Sequence, residues 1–463
     1  YNPEIEARRF LDSSIKKNPS LIILLGAGLG YIIKELARKY QSTPILAVHY
    51  DKELYCNSIY VNETVQYWYP QSMEKVSRFF LNNINEQTLN NIKIIEWNPS
   101  SLIYPEISLF INKELKKIIQ QLNGNIKTTA VFGKKWLQNM ICNYISIDEY
   151  CLLPDENEPI VIASSGSSLR ESLSEIKKYR KKFRLWALPS SLKVLNEESV
   201  KPDLMICTDP GYYGSYHFQF LQENTPTALP LTASRGIWRK TSPAIILNQN
   251  FPFEKDLISL SSIYKTDIPS NGTVSGTALE MATSKSSLIY FAGLDLCYSD
   301  IQSHIKPHSF DTLLSLKSTR LSPYQSIMYH RVSNTSTDFT NRIRTSQSME
   351  TYRNWFDNRK FSPSISIKRL NPSPIKIKNM KTGYLRELKN FENLGELKTT
   401  RVKASNKNVR FEHIRRILEY WENGLKNNER DDLIYYIDTE SFSKGEKNHK
   451  ALHYISRLRR LYG

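Results

Sequence analysis

The sequence predicts an α/β protein: a doubly wound, mostly parallel sheet, with a Rossmann-like domain before it and a helical section after it. Three observations carry this reading. Leu21–Tyr55 runs as strand, glycine turn, helix and strand, "LIILLGAGLG", "YIIKELARKY" and "PILAVHYDKELY". The alternation of short apolar strands with helices restarts at Ile160 and continues to about residue 292. From about residue 386 the apolar residues recur at helical spacing instead. Alternating strands and helices build parallel sheets with helices on both faces.

Each section has its own pattern. In the first, 1–150, helices are expected near 72–82 and 108–122. A polar joint, "LPDENEP" (Leu153–Pro159), opens the second, 151–385. There strands are expected at 160–164, 183–188 and 203–208, and near 229–233, 244–248 and 288–292, with helices at 168–180 and 191–198. After Asp300 the composition turns to Ser, Thr, His and Tyr, which suits long functional loops. In the third section, 386–463, "RFEHIRRILEYWENGLK" places Phe411, Ile414, Leu418 and Trp421 on one helix face and Arg415 and Arg416 on another. Its basic end, "ALHYISRLRRLYG", reads as a packing helix with a solvated face, or as a surface for a protein partner.

The 463 residues carry 63 Lys and Arg against 46 Asp and Glu, a formal net charge of +17. That balance favours acidic partners. The basic residues are spread along the chain, however, and no nucleic-acid-binding signature accompanies them. The five cysteines, Cys56, Cys142, Cys151, Cys207 and Cys297, are far apart. An odd count with no CxxC pair argues against a disulfide framework and a zinc site. No apolar run is long enough to span a membrane and no leader is visible, so a cytoplasmic protein is expected.

Four turns sit where strands end. "GAGLG" places Gly26, Gly28 and Gly30 between strand and helix, where glycines let backbone amides approach an anion. Many methyltransferases hold S-adenosylmethionine with this turn, but they need a carboxylate at the end of the next strand. Here that strand ends "AVHYDKE", and Asp51 comes about two residues late; a domain without its ligand is the expectation. In "IVIASSGSSLRESL" a strand runs into Ser165, Gly166, Ser167 and Ser168, with Ser168 as helix N-cap, a grouping that suits a phosphate. In "KPDLMICTDPGYYG" Asp209 follows a strand, either to accept from a nucleoside or to close an Asp–Pro–Gly turn. In "NGTVSGTALEMATSKSSLIYFAGLDLCYSD" Asn271, Gly272, Thr273 and Ser275 form a turn, and Gly293 and Asp295 end the next strand. Several such ends in one sheet point to a nucleotide in one crevice.

The ordered blocks "SSGSSL", "KPDLMICTDPG", "NGTVSGTALEMA", "FAGLDLCYSD" and "SHIKPH" resemble the motility accessory factor (Maf) family of flagellin glycosyltransferases. The central domain is also similar to an archaeal 6-hydroxymethylpterin diphosphokinase (MptE-like) and to bacterial sialyltransferases that use CMP-sialic acid. The likeness covers about 20–385 and is strongest from Ile160 to His308. One block departs: the usual Gly-x-Gly-Pro-Ser-Leu reads Ser164-Ser165-Gly166-Ser167-Ser168-Leu169, with Ser for the first Gly and for the Pro. The resemblance implies a CMP-activated nonulosonic acid, of pseudaminic or legionaminic type, as donor. It implies Ser or Thr hydroxyls of flagellin as acceptor, with no further cofactor.

These residues suit that chemistry. No Asp-x-Asp is present to hold a metal against a pyrophosphate. A departing CMP needs less neutralisation, which amides, hydroxyls, Tyr298 and Tyr324 would supply without metal. A neutral hydroxyl needs a base to take its proton, and histidine is suited near neutral pH. The loop after Asp300 offers His304, which matches the family's Ser-His block, with His308 and His330 as rivals. Arg235, Arg239 and Lys240 are candidates for the sugar carboxylate. Competing readings are an ATP-dependent pterin diphosphokinase, a methyltransferase run by "GAGLG", and a non-catalytic flagellin chaperone or export factor.

Overall fold

The structure is a computed structural model. It describes all residues except 1, 17, 90, 242, 334, 339–342, 371–372, 445–447 and 463. Two compact units emerge: Tyr1–Gly133 with Asn423–Ile455, and Lys134–Glu422 with Ser456–Gly463.

In the first unit the strands β1 (Leu21–Leu25), β2 (Ile45–Val48), β3 (Val65–Trp68) and β4 (Ile92–Glu96) form a parallel sheet in the order β3-β2-β1-β4. All five residues of β1 are buried, with Leu21, Ile23 and Leu25 in one cluster and Ile22 and Leu24 in the other. Alternate side chains therefore fill the two faces, as a sheet covered on both sides requires. The glycine turn follows β1 as expected, and Gly26, Gly28 and Gly30 all have positive φ. Its space is occupied: the Ser100 hydroxyl donates to Gly26 O at 2.9 Å, and a Cβ on Gly26 would lie 2.7 Å from that of Ser100. Asp51 does not hold a ribose. Its carboxylate accepts from the amides of Glu53 (2.7 Å) and Leu54 (3.3 Å) as an N-cap.

The second unit contains an eleven-stranded sheet. Its strands, in chain order, are β5 (Glu149–Leu152), β6 (Ile160–Ala163), β7 (Arg184–Ala187), β8 (Leu204–Ile206), β9 (Thr227–Pro230), β10 (Ala244–Asn248), β11 (Thr266–Asp267) and β12 (Leu288–Ala292). A separate hairpin of β13 (Ser336–Asp338) and β14 (Ile343–Thr345) intervenes before β15 (Ser366–Leu370), β16 (Lys381–Gly383) and β17 (Thr400–Lys403). The order is β16-β15-β12-β6-β7-β8-β9-β10-β5-β17, with β11 against β10 and only β17 antiparallel. Val161, Ala163, Leu185, Ala187, Tyr290 and Ala292 face one core; Ile160, Ile162, Trp186, Leu204, Ile289 and Phe291 face the other. From β6 the chain steps outward through β7, β8 and β9, then returns to place β12 on the opposite side of β6. That reversal is a topological switch point, and the crevice above it lies at the carboxyl ends of the strands.

The observed division differs from the expected 1–150, 151–385 and 386–463. The expected helix at 108–122 is part of a longer one: a single helix spans Pro105–Ser146, and the units divide inside it. β5 lies before residue 151, yet it pairs with β10 and belongs to the second sheet. The expected helical tail is shared between the units, and β17 within it closes the sheet edge. In the helix Lys407–Lys426, Ile414, Leu418 and Trp421 are buried as expected, but Phe411 is exposed. Arg410 is buried in its place and donates to Ile145 O. Replacing Asp51 by Ala should lower the stability of the first unit by about 1 kcal/mol, the ordinary worth of an N-cap, as read by urea denaturation.

Candidate functional site

The loops above β6 and β12 are tied across the switch point. Ser164 N donates to Ala292 O (2.8 Å) and Gly166 N to Gly293 O (2.8 Å), continuing the strand ladder into the turn. Gly293 has φ +73, and a Cβ there would lie 2.8 Å from Ser164 O. The Asp295 carboxylate is buried and accepts from Ser168 N (2.9 Å), from the Ser168 hydroxyl and from the Ser167 hydroxyl (3.3 Å). A Cβ on Gly166 would lie 2.4 Å from this carboxylate. Gly166 is thus needed for close approach of Asp295.

This changes the expected role of the serine turn. Ser168 makes no N-cap bond; its backbone is helical, and its hydroxyl and amide both go to Asp295. The start of the helix Leu169–Tyr179 therefore already holds an anion, the protein's own. A phosphate would find the Ser168 amide taken. Asp295 likewise is a pin rather than a free acceptor. Ser165 keeps a different place: its carbonyl accepts from Ile305 N (2.7 Å), and its hydroxyl accepts from Ser190 Oγ (2.8 Å).

The helix Val274–Thr283 offers the other N-terminus at this end of the sheet. Thr273 is its N-cap in extended conformation and makes no side-chain cap bond. Asn271 Oδ1 accepts from Thr273 N (3.3 Å), while Asn271 Nδ2 is buried with no hydrogen-bond partner. Gly272 has φ +77, and Gly276 lets the Asn271 side chain lie against the first turn. Ser275 Oγ lies 3.4 Å from Ser164 Oγ, which joins this turn to the end of β6. Free first-turn amides beside a buried amide donor suit an anionic group.

Asp209 does not join these groups by any contact. Its carboxylate accepts from Gly211 N (2.7 Å), and a Cβ on Gly214 would lie 2.6 Å from it. Burial raises its pKa, with the Gly211 amide and Lys135 opposing. It closes the Asp–Pro–Gly turn that starts the 3₁₀ segment Tyr212–Phe220. β8 lies two strands from β6, on the order of 10 Å.

That 3₁₀ segment brings in a residue the sequence did not reveal. His217 is buried, with its ring 5.2 Å from that of His308 and 4.7 Å from Phe310. His304 in turn lies 4.8 Å from His308, and its Nδ1 is 2.8 Å from Ser303 Oγ. His304 is half-buried, whereas His308 is buried. Burial lowers all three pKa values: His217 to about 4, with His304 adding to the effect; His308 to about 3, with both other histidines adding; and His304 by burial and Arg331. All three rings are therefore neutral near pH 7. His330 stands apart, exposed on the helix Tyr324–Val332. The only signal for His217 was its place in the aromatic run "GYYGSYHFQF", which does not tell ligand from core.

The remaining candidates are peripheral. Arg235, Arg239 and Lys240 are exposed, and Lys240 donates to Ser215 O at 3.3 Å. The Tyr324 hydroxyl donates to Asp311 (3.0 Å), and Lys306 contacts the same tyrosine. Tyr298 pairs through its backbone with Arg344. Among the described residues no group of three or more His, Cys, Asp and Glu side chains is arranged to hold a metal.

Comparison with known proteins agrees with this architecture. Residues 134–301 match the family model for 6-hydroxymethylpterin diphosphokinase MptE-like proteins. An uncharacterized protein of Treponema pallidum (strain Nichols) is 25% identical over 318 residues, 67% of either chain. Among solved structures, the Maf glycosyltransferase from Magnetospirillum magneticum AMB-1 superposes with a TM-score of 0.61 at 11% identity, over 99% of this chain and 77% of that one. The chain thus shares the fold of that Maf glycosyltransferase structure, and its central residues 134–301 are similar to the MptE-like family, as the sequence resemblance anticipated.

Two outcomes test this geometry. Asp295→Asn should cost about 2 kcal/mol, because the helix start and two serines lose a charged acceptor, as measured by denaturation. The buried imidazoles set a pH dependence. The unfolded chain binds protons below about pH 6.5, while folded His217 and His308 resist them until about 4 and 3. Stability is then full above pH 6.5 and falls on acidification, by about 1.4 kcal/mol per pH unit for each such histidine. His217→Phe should flatten that acid limb when urea midpoints are compared at pH 7, 6 and 5.

Proposed function

We propose that the chain is a glycosyltransferase that moves a nonulosonic acid, of pseudaminic or legionaminic type, from its CMP ester to Ser or Thr hydroxyls of flagellin. The observation that carries the reading is convergence: the Ser164–Ser168 turn, the Asn271–Ser275 turn and the His304 loop meet at the β6/β12 switch point. The fold likeness to a Maf glycosyltransferase supports the general class.

The CMP phosphate is assigned to the start of the helix Val274–Thr283. There the unpartnered Asn271 amide, the first-turn amides and the hydroxyls of Ser164 and Ser275 offer donors. The acceptor oxygen attacks the anomeric carbon. The bond from that carbon to the phosphate oxygen breaks, CMP leaves with the electron pair, and the acceptor proton passes to an imidazole. The sugar passes through an oxocarbenium-like transition state, and a single displacement inverts its configuration. His304 is assigned as base: it is neutral, part-exposed and one residue from the Ile305 contact to Ser165. Donors at the leaving phosphate make a metal unnecessary in this scheme.

The diphosphokinase reading is favoured by the family match at 134–301. A thermal-shift comparison separates the two. CMP at about 100 times its Kd should stabilise the protein by about 2.7 kcal/mol, with little effect from ATP and Mg²⁺; the reverse result would favour the kinase. His304→Gln should lower transfer to flagellin by ~10²–10⁴-fold, whereas His330→Ala should leave it near wild type. If His304, His308 and His330 variants all retain full glycosylation, no base lies among them.

A further inference from the structure

The His217–His308 contact leaves polar atoms stranded. Phe310 N donates to His308 Nδ1 at 3.3 Å, so the neutral ring carries its proton on Nε2. That Nε2 is buried with no hydrogen-bond partner, and so are His217 Nδ1 and the hydroxyl of Ser309. His217 is 6% exposed, His308 8% and Ser309 1%. A buried polar group without a partner typically costs about 1–3 kcal/mol, so two such imidazoles in ring contact, with a third unpartnered group on the residue after His308, point to a missing partner.

The surroundings define that partner's charge. His304, itself part-exposed, lies with its ring 4.8 Å from that of His308. Lys193 acts on His308 as a positive group, while Asp311 is the opposing one. The Asp311 carboxylate is already engaged by His308 N (2.8 Å), by the Tyr324 hydroxyl (3.0 Å) and by Lys306 (3.6 Å). Arg331 acts on His304. The free valences face a basic, carboxylate-poor environment, which suits an acceptor with negative charge.

We propose that His217 and His308, with Ser309, form an oxyanion subsite next to the phosphate position, one that receives an anionic group of the donor. This rests on the donor reading above. A CMP-nonulosonic acid carries two such groups, the phosphate and the sugar carboxylate. With the phosphate at Asn271 and the helix Val274–Thr283, the carboxylate is the occupant expected here. Ser164 and Ser165 are consecutive, and they touch the Ser275 turn and the His304 loop respectively, so the two positions flank one stretch of backbone. The pair would make the site selective for acidic sugars.

Calorimetry with the full chain tests this, using CMP-N-acetylneuraminic acid, CMP, cytidine and inorganic phosphate as probes. His217→Phe keeps the ring shape and removes Nδ1; His217→Asn keeps a polar atom near that position. His308→Asn keeps the acceptor for Phe310 N and removes the Nε2 donor; His308→Gln restores a donor near it. Phe and Asn respectively at these sites should weaken CMP-N-acetylneuraminic acid at least tenfold and leave CMP and cytidine unchanged. The Asn and Gln counterparts should recover most of the loss, which a general packing defect would not. An equal loss for CMP would assign the phosphate, rather than the carboxylate, to the subsite. Unchanged affinity for every anionic probe would overturn the subsite while leaving the nucleotide reading intact. If wild type binds no cytidine compound but binds inorganic phosphate in a manner lost with both variants, the subsite stands and the donor reading falls. If wild type binds none of the probes, both fall.

Discussion

At the reversal of strand order between β6 and β12, the buried carboxylate of Asp295 accepts from the backbone and hydroxyl of Ser168 and from the hydroxyl of Ser167. The rest of the crevice depends on this contact. It requires Gly166 and Gly293, since a side chain at either would collide with the opposite loop. It also neutralises the start of the helix Leu169–Tyr179, because a carboxylate there meets both the free amide and the helix dipole. The crevice consequently has one occupied helix start and one open one, the latter at Val274–Thr283, where Asn271 keeps an unpartnered amide. Placing an internal anion at one side leaves the other as the place for an external one.

Around that centre, the sheet is rigid for reasons of packing, and the loops are held by polar contacts. β6, β7, β8, β9 and β10 are buried along their whole lengths. The loops above β8 and β9 are held by side-chain amides as well. Asn139 donates to Pro210 O (3.2 Å) and Thr232 O (3.1 Å), and Asn143 donates to Leu231 O and Ala233 O (both 2.8 Å). With Asp209 closing its turn, these bonds fix the segment that presents His217. The loop after β12 is fixed by Ile305 on Ser165 and by Asp311 on His308. The loop that carries His304 is thus tied by its backbone to the turn after β6, while His308 is held by the carboxylate of Asp311.

The likeness to the Maf structure persists at 11% identity. Alternation of small and large apolar residues along buried strands tolerates many substitutions, provided volume and pattern are kept. The loops do not share that tolerance in the same way, because they depend on particular donors and acceptors. The glycine turn of the first unit illustrates the difference. It keeps its positive-φ backbone, while Ser100 fills the space beneath it and Asp51 caps a helix.

The sequence by itself determined the strand–helix alternation, the parallel sheet, and the turns at Gly166, Asn271–Ser275 and Gly293. Those features follow from local period, apolar run length and glycine placement, all of which are properties of neighbouring residues. Tertiary structure alone decided that Asp295 reaches Ser168, that Asp209 serves its own turn, and that β5 and β17 complete the second sheet. It also decided that His217 meets His308, 91 positions away by residue number. Such pairings depend on strand order, and strand order depends on which apolar faces bury best together. A single chain's pattern does not encode that choice locally, so the histidine cluster came into view only once the strands were arranged.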